Sequence, residues 1–258
     1  MNNPSAAQTS ASIRKAFQFL TTLPMPSQGL EDVTLAESSR FFPLVGLVIG
    51  CFTYLVYWLG NMVFPPLVTS VLVCAAWIIL TGGLHLDGLA DCCDSLFCPA
   101  DKKRRLEILK DSRLGTFGAA GLIIVILLKI AAISNLTEFP VVIFLAPSLA
   151  RWVILLAKGQ PVPDYQGMGS SFISGLKPRD LIVGLLIPLI LLLYAGAAGV
   201  IALIASILTA VICFFLARRR LGGVNGDILG MVIEISETVV LLITITPINR
   251  FFPPFLPS

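Results

Sequence analysis

The sequence predicts an all-α fold, a polytopic membrane helical bundle of about seven transmembrane helices with a short amphipathic N-terminal helix. Three observations predict it. First, 56% of the 258 residues are hydrophobic and only 13% are charged, with a mean hydropathy of +0.91. A soluble domain carries about 25% charged residues. Second, the apolar residues fall in long runs, and roughly 20 apolar residues cross a bilayer core. Third, Lys and Arg occur in alternate loops, as the positive-inside rule expects of a multi-pass chain. The whole of residues 1–258 reads as one unit.

In order along the chain, residues 1–10 are small and polar and are expected to be loose. No cleavable leader is expected, because the first long apolar run begins far from the N-terminus. Residues 13–20 read as a short amphipathic helix with Arg14 and Lys15 facing lipid headgroups. Spans are expected at about 42–64 and 67–84, turned by Pro65-Pro66, and then at about 116–136 and 139–157. The apolar run 181–217 is too long for one crossing and is divided near 196–199, giving the fifth and sixth spans. A seventh runs over about 228–248.

The loops near 65, 137 and 197 contain no Lys or Arg. The others hold Lys102 to Arg105, Lys110 and Arg113, then Lys158, Lys177 and Arg179, then Arg218 to Arg220. This places these loops and the N-terminus in the cytoplasm and the C-terminus outside, with Arg250 the one basic residue against it. Every polar motif then falls on one side. Of the six cysteines, Cys51, Cys74 and Cys213 lie in apolar runs, and Cys92, Cys93 and Cys98 lie in an acidic loop. No C-x-x-C spacing is present, so a zinc site has little support.

The stretch Thr81-Gly82-Gly83-Leu84-His85-Leu86-Asp87-Gly88-Leu89-Ala90-Asp91-Cys92-Cys93-Asp94 is the richest in chemistry. On a helix at about 100° per residue, Asp87, Asp91 and Asp94 fall within roughly a 60° arc. Like charges on one face repel, and a divalent cation reverses that cost because Mg²⁺ prefers carboxylate and phosphate oxygens. The plain alternative is a polar cap where a membrane helix meets water.

Lys110-Asp111-Ser112-Arg113-Leu114-Gly115-Thr116-Phe117-Gly118 offers a carboxylate, a guanidinium and glycines before a helix, a setting suited to phosphate. Gly167-Met168-Gly169 with Ser170 and Ser171, and Gly222-Gly223-Val224-Asn225-Gly226-Asp227, add glycines and polar groups. Glu234, Glu237 and Arg151 sit inside apolar spans, where charge is costly and usually lines a protein cavity.

Together these suit phosphoryl chemistry. Asp87, Asp91, Asp94 and Asp227 are candidate metal ligands. His85, Asp94, Asp227 and Glu234 are candidate acid–base groups. Lys110, Asp111, Ser112, Arg113, Gly115, Arg151, Gly167, Gly169, Gly222, Gly223 and Asn225 are candidate substrate contacts. The bland alternatives are a satisfied polar His85 at a helix end and an Arg151 paired with a buried Glu. Lys102–Arg105 and Arg218–Arg220 read as topology anchors, and Lys129 as a snorkelling or paired residue.

At these residues the chain resembles the cobalamin synthase family. The resemblance is carried by 81–91, 110–118 and Leu221-Gly-Gly-Val-Asn-Gly-Asp227, and by 16–24, 42–46 and 234–237, in order along nearly the whole chain. It implies an adenosylcobinamide-GDP ribazoletransferase, an integral membrane enzyme of late cobalamin (vitamin B12) assembly that needs Mg²⁺. The 3′-hydroxyl of α-ribazole, or of its 5′-phosphate, attacks the phosphate of adenosylcobinamide-GDP and releases GMP. It implies residence in a bacterial inner membrane with the site facing the cytoplasm. The partners implied are these two substrates, the lipid bilayer, another copy of the chain and other cobalamin-assembly enzymes, with no nucleic acid. Two other readings stay open at the level of residues alone. One is a phosphotransferase acting on a lipid alcohol, like the CDP-alcohol phosphotransferases. The other is a metal-ion or corrinoid transporter.

Overall fold

The computed structural model describes residues 6–136, 140–163 and 168–246. Among these, every regular element is helical. In order they are α1 (Ala6–Leu20), α2 (Leu35–Ser38), α3 (Phe42–Val63), α4 (Pro66–Thr81), α5 (Leu84–Phe97) and α6 (Lys102–Ile108). Then come α7 (Thr116–Ser134), α8 (Val142–Val153), α9 (Met168–Gly175), α10 (Pro178–Leu221) and α11 (Gly226–Thr244).

Three helices are long and apolar enough to cross a membrane by length and composition: Leu35–Val63, Thr116–Ser134 and Pro178–Leu221. A fourth is reached if α4 and α5, bent by 92° at Gly82-Gly83, are taken together. The expected seven are therefore not all present as full-length apolar helices, for physical reasons. Helix α8 with its short 3₁₀ extension, Val142–Ala157, is brief. Helix α11 carries Asp227, Glu234 and Glu237. Helix α10 is continuous except at Gly196, whose φ of 60° and ψ of −138° break it within the region where the apolar run was divided.

The bundle is held by close backbone approaches. Gly46 and Gly50, one turn apart on α3, face α8. A Cβ on Gly46 would lie 2.3 Å from the Pro147 carbonyl oxygen, and one on Gly50 would lie 2.7 Å from the Phe144 Cα. This is small-residue packing at four-residue spacing, as membrane helices use it. The Ser148 hydroxyl donates to the Pro43 carbonyl at 2.7 Å across the same seam. Large apolar side chains such as Trp58, Ile79, Ile123, Leu189 and Phe215 point outward from α3, α4, α7 and α10. That outward apolar surface is what a membrane protein presents to lipid.

Two expectations about the N-terminal segment change. Helix α1 begins at Ala6, so residues 6–10 are helical rather than loose. Its basic pair turns to protein instead of headgroups. Arg14 donates to the Pro26 carbonyl at 3.0 Å, and the Lys15 ammonium to the carbonyls of Leu30, at 2.8 Å, and Val33. The loop after α1 carries carbonyls without helical partners, and these two cations satisfy three of them.

Candidate functional site

The acidic stretch forms helix α5, as its spacing predicts, rather than a loop, and Cys92 and Cys93 are buried in its packing face. Gly82 and Gly83 both take positive φ, 62° and 70°, which lets the chain leave α4 and restart at a right angle. Gly88 lets α5 cross α11 closely: a Cβ there would lie 2.9 Å from the Asp227 carbonyl oxygen. Gly230 does the same from the other side, 3.3 Å from the His85 backbone. Two glycines thus bring Asp87 and Asp227 to one place. Asp91 feels the charges of Asp87, Asp227 and Asp94.

The other motifs converge on the same crossing. The Asp94 carboxylate accepts from the backbone N–H of Gly115 at 2.7 Å and of Gly118 at 2.9 Å. It sits on the N-terminus of α7, where orphan N–H groups and the helix dipole favour an anion. The approach is close: a Cβ on Gly115 would lie 2.3 Å from the Asp94 Oδ1, so the carboxylate would have to shift. Gly169, opening α9, meets the turn before α11 with its would-be Cβ 2.4 Å from the Gly226 nitrogen. Asn225 caps α11 by accepting from the Ile228 N–H at 3.1 Å, and its amide donates to the Asp227 carboxylate at 2.7 Å.

Between these elements lies a pocket of about 280 Å³. His85, Asp87, Gly169, Ser170, Asn225, Gly226 and Asp227 supply its polar lining. Phe19, Leu20, Phe42, Ile154, Phe172 and Ile233 are among its apolar lining. Among the described residues, no three His, Cys, Asp or Glu side chains come together as a ready-made metal site. Asp94 accepts its two backbone bonds at the start of α7 and is not among the residues lining the pocket.

Several candidates lie elsewhere. Arg151 is fully buried and pairs with Glu237 at 2.6 Å. Lys129 bridges Glu234 and Glu237, both at 2.6 Å. Two cations and two anions from α7, α8 and α11 therefore pair inside the bundle, with Arg151 Nε and Nη2 left without a hydrogen-bond partner among the described residues, and neither Arg151 nor Glu234 lines the pocket. Lys110, Ser112 and Arg113 are exposed in the α6–α7 connection. Arg113 pairs with Asp111 at 2.6 Å, and its guanidinium holds the Asp111 carboxyl down to about 2. Gly222, with φ 86°, ends α10 against the Lys102 side chain, and Gly223 packs on the 161–163 backbone. Gly167 lies outside the described residues.

Sequence reasoning missed three features. The first is the identity of the Lys129 partners: pairing was one of the two readings of this residue, and Glu234 and Glu237 supply it. The second is the aromatic lining from Phe19, Phe42 and Phe172. The third is the basic cap on α5: Arg105 donates to the Ser95 carbonyl at 2.7 Å, and both Arg105 and Arg220 donate to the Leu96 carbonyl. Cations at a helix C-terminus are stabilising, so these two arginines do more than anchor loops.

A family model described as cobalamin-5-phosphate synthase matches residues 12–245. The chain belongs to this family. It is 35% identical to an adenosylcobinamide-GDP ribazoletransferase of Clostridioides difficile (strain 630), over 91% of this chain and 97% of the relative. It is 37% identical to the protein of that name from Roseiflexus sp. (strain RS-1), over 90% and 88%. It is 39% identical to that of Escherichia coli O127:H6, over 87% and 95%. No solved structure matches the chain. Within the family match lie all the glycine contacts that build the pocket, from Gly88 to Gly230.

Proposed function

We propose that this protein is an adenosylcobinamide-GDP ribazoletransferase, a cobalamin synthase. The 3′-hydroxyl of α-ribazole, or of its 5′-phosphate, attacks the phosphorus that carries the cobinamide. The phosphoanhydride bond to GMP breaks, GMP leaves with the bond electrons, and a new phosphodiester joins the ribazole to the cobinamide. The hydroxyl proton passes to a carboxylate of the pocket lining, for which Asp87 and Asp227 are the candidates. The observation that carries this reading is the meeting of three separate motifs at one pocket, with Gly88 against Asp227 and Gly169 against Gly226.

The cation of the reaction is proposed to be Mg²⁺. It characteristically takes one or two carboxylates and completes its shell with phosphate oxygens and water. Asp87 and Asp227 line the pocket, whose lining holds no Lys or Arg among the described residues, and Asp91 lies in their field. That donor set fits a metal arriving with a diphosphate. When bound, it would neutralise charge on the phosphates and on the departing GMP. Asn225 orients Asp227 through its amide. The exposed Arg113 and Lys110 are placed here as outer contacts for substrate phosphate, with Asp94 and Gly115 fixing the start of α7 beside them.

The topology is also our own reading: seven crossings, with α10 counted as two, the pocket toward the cytoplasm, and the membrane a bacterial inner membrane. Homo-oligomers and contacts with other cobalamin-assembly enzymes belong to the same reading. The test of function is GMP release by purified, detergent-solubilised protein given adenosylcobinamide-GDP and α-ribazole, with and without Mg²⁺. Release requiring both nucleoside and metal, with a cobalamin product, is the expected result. No product with either form of the ribazole, from folded protein, would remove the proposal.

A further inference from the structure

The pocket lining combines two chemistries. Asp87, Ser170, Asn225 and Asp227 are polar. Much of the rest is apolar and aromatic. Phe42 lies between Phe19 and Phe172, at 6.1 Å and 5.6 Å between ring centroids, and is nearly parallel to Phe172 at 9°. Leu20, Ile154 and Ile233 complete this part. At about 280 Å³ the pocket lies just under the roughly 300–1,000 Å³ of typical ligand sites, the scale of a nucleoside rather than a corrinoid.

One polar side chain of the lining stands out. His85 is 3% exposed, and both its ring nitrogens lack a hydrogen-bond partner among the described residues. A neutral imidazole carries one donor and one acceptor, and leaving both unpaired in a buried site is costly; Arg151, Glu237 and Lys129 act on it through their charges. A ligand ring nitrogen with an in-plane lone pair would satisfy the donor nitrogen of this imidazole.

We propose that the aromatic part of this lining is the subsite for the aromatic base of the acceptor nucleoside, with His85 donating a hydrogen bond to its free ring nitrogen, an assignment that rests on the transferase reading above. A benzimidazole nucleoside has the required form. One ring nitrogen bears the ribose, the other has an in-plane lone pair, and the remaining ring edge is hydrocarbon. A purine would bring further polar atoms against Phe19, Phe42 and Phe172, which offer them no hydrogen-bond partner. With the base against these rings, the ribose lies beside Asp87 and Asp227, where its hydroxyl has to react. His85 is then a specificity residue that reads the base, not the group that takes the proton.

The test compares α-ribazole with the matching indole riboside, which has the same shape but a C–H in place of the free nitrogen. Competition binding to the wild-type protein in detergent, and steady-state kinetics, are both read. Wild-type protein is expected to prefer the ribazole by about tenfold or more, the scale of one buried hydrogen bond. In His85→Leu that preference is expected to fall to about twofold or less, with the KM for adenosylcobinamide-GDP unchanged, and His85→Gln should restore part of it. Equal binding of the two nucleosides by wild-type protein would overturn the assignment, whether or not the variants fold. So would a His85→Leu protein that keeps the preference. Wild-type protein that forms cobalamin while showing no preference leaves the transferase reading intact and removes only the subsite. Wild-type protein that forms no cobalamin removes both.

Discussion

Helix α11 carries two sets of charges that differ in how they are balanced. Near its middle, Glu234 and Glu237 meet Lys129 and Arg151 in ion pairs of 2.6 Å, all buried. At its start, Asp227 meets Asp87 and the field of Asp91, all of one sign. The first set is closed in that each charge has an opposite partner, tying α7, α8 and α11 together, with only Arg151 Nε and Nη2 unpaired among its nitrogens. The second is open in that it has no cation in the pocket lining among the described residues. Both break the rule that charge is expensive at such positions, and the difference shows how to read an exception. Where opposite charges complete each other the charge serves the fold; where like charges gather beside a cavity the missing counter-charge comes from outside.

If the closed set serves the fold, its loss should be seen first in stability. Glu237→Gln leaves Arg151 without its carboxylate and Lys129 with one of its two, and breaking a buried pair typically costs about 3–5 kcal/mol. Denaturation in detergent is expected to show that loss. A variant as stable as the parent would break the distinction. The open set should behave in the opposite way. Asp227→Asn is expected to keep the melting temperature while turnover falls by about 10²–10³-fold, the range for losing one electrostatic contact to a transition state. A large drop in melting temperature with turnover intact would reverse the two roles.

Smaller effects sharpen the boundary. Gly115→Ala pushes a methyl group against the Asp94 carboxylate, 2.3 Å away, and should cost about 1–3 kcal/mol as overpacking does. Chemical denaturation measures it, and Asp94→Asn should soften the clash little because the shape is kept. The smallest effect belongs to Arg113→Ala. Its pair with Asp111 is exposed, and such pairs add little to stability. The Asp111 carboxyl is depressed to about 2, so what the pair adds is present above the ordinary carboxylate range and fades only as pH falls toward that value. Melting across the neutral range should match the parent, while the KM for adenosylcobinamide-GDP rises if Arg113 contacts its phosphates.

The all-helical class, the break near Gly196 and the helical register of Asp87, Asp91 and Asp94 were legible because each is a local pattern. So were the motifs that build the pocket, since glycines beside acids are unusual in apolar helices. What pairs with what was not legible. Lys129 and Glu237 are 108 residues apart, and nothing along the chain says they touch. The Asp94 side chain could be placed on a helix face but not on the N-terminus of α7. The aromatic lining was hidden for the same reason: Phe19, Phe42 and Phe172 come from three helices and look like ordinary apolar residues.

The contrast between closed and open charges is tested most directly by Mn²⁺, a spectroscopic stand-in for Mg²⁺, titrated into the protein with adenosylcobinamide-GDP and followed by electron paramagnetic resonance. Wild-type protein should bind the ion. Asp227→Asn should lose it, while folded Glu237→Gln should retain it. Undiminished Mn²⁺ binding by Asp227→Asn would contradict the assignment of the open acids to a divalent cation and its phosphate.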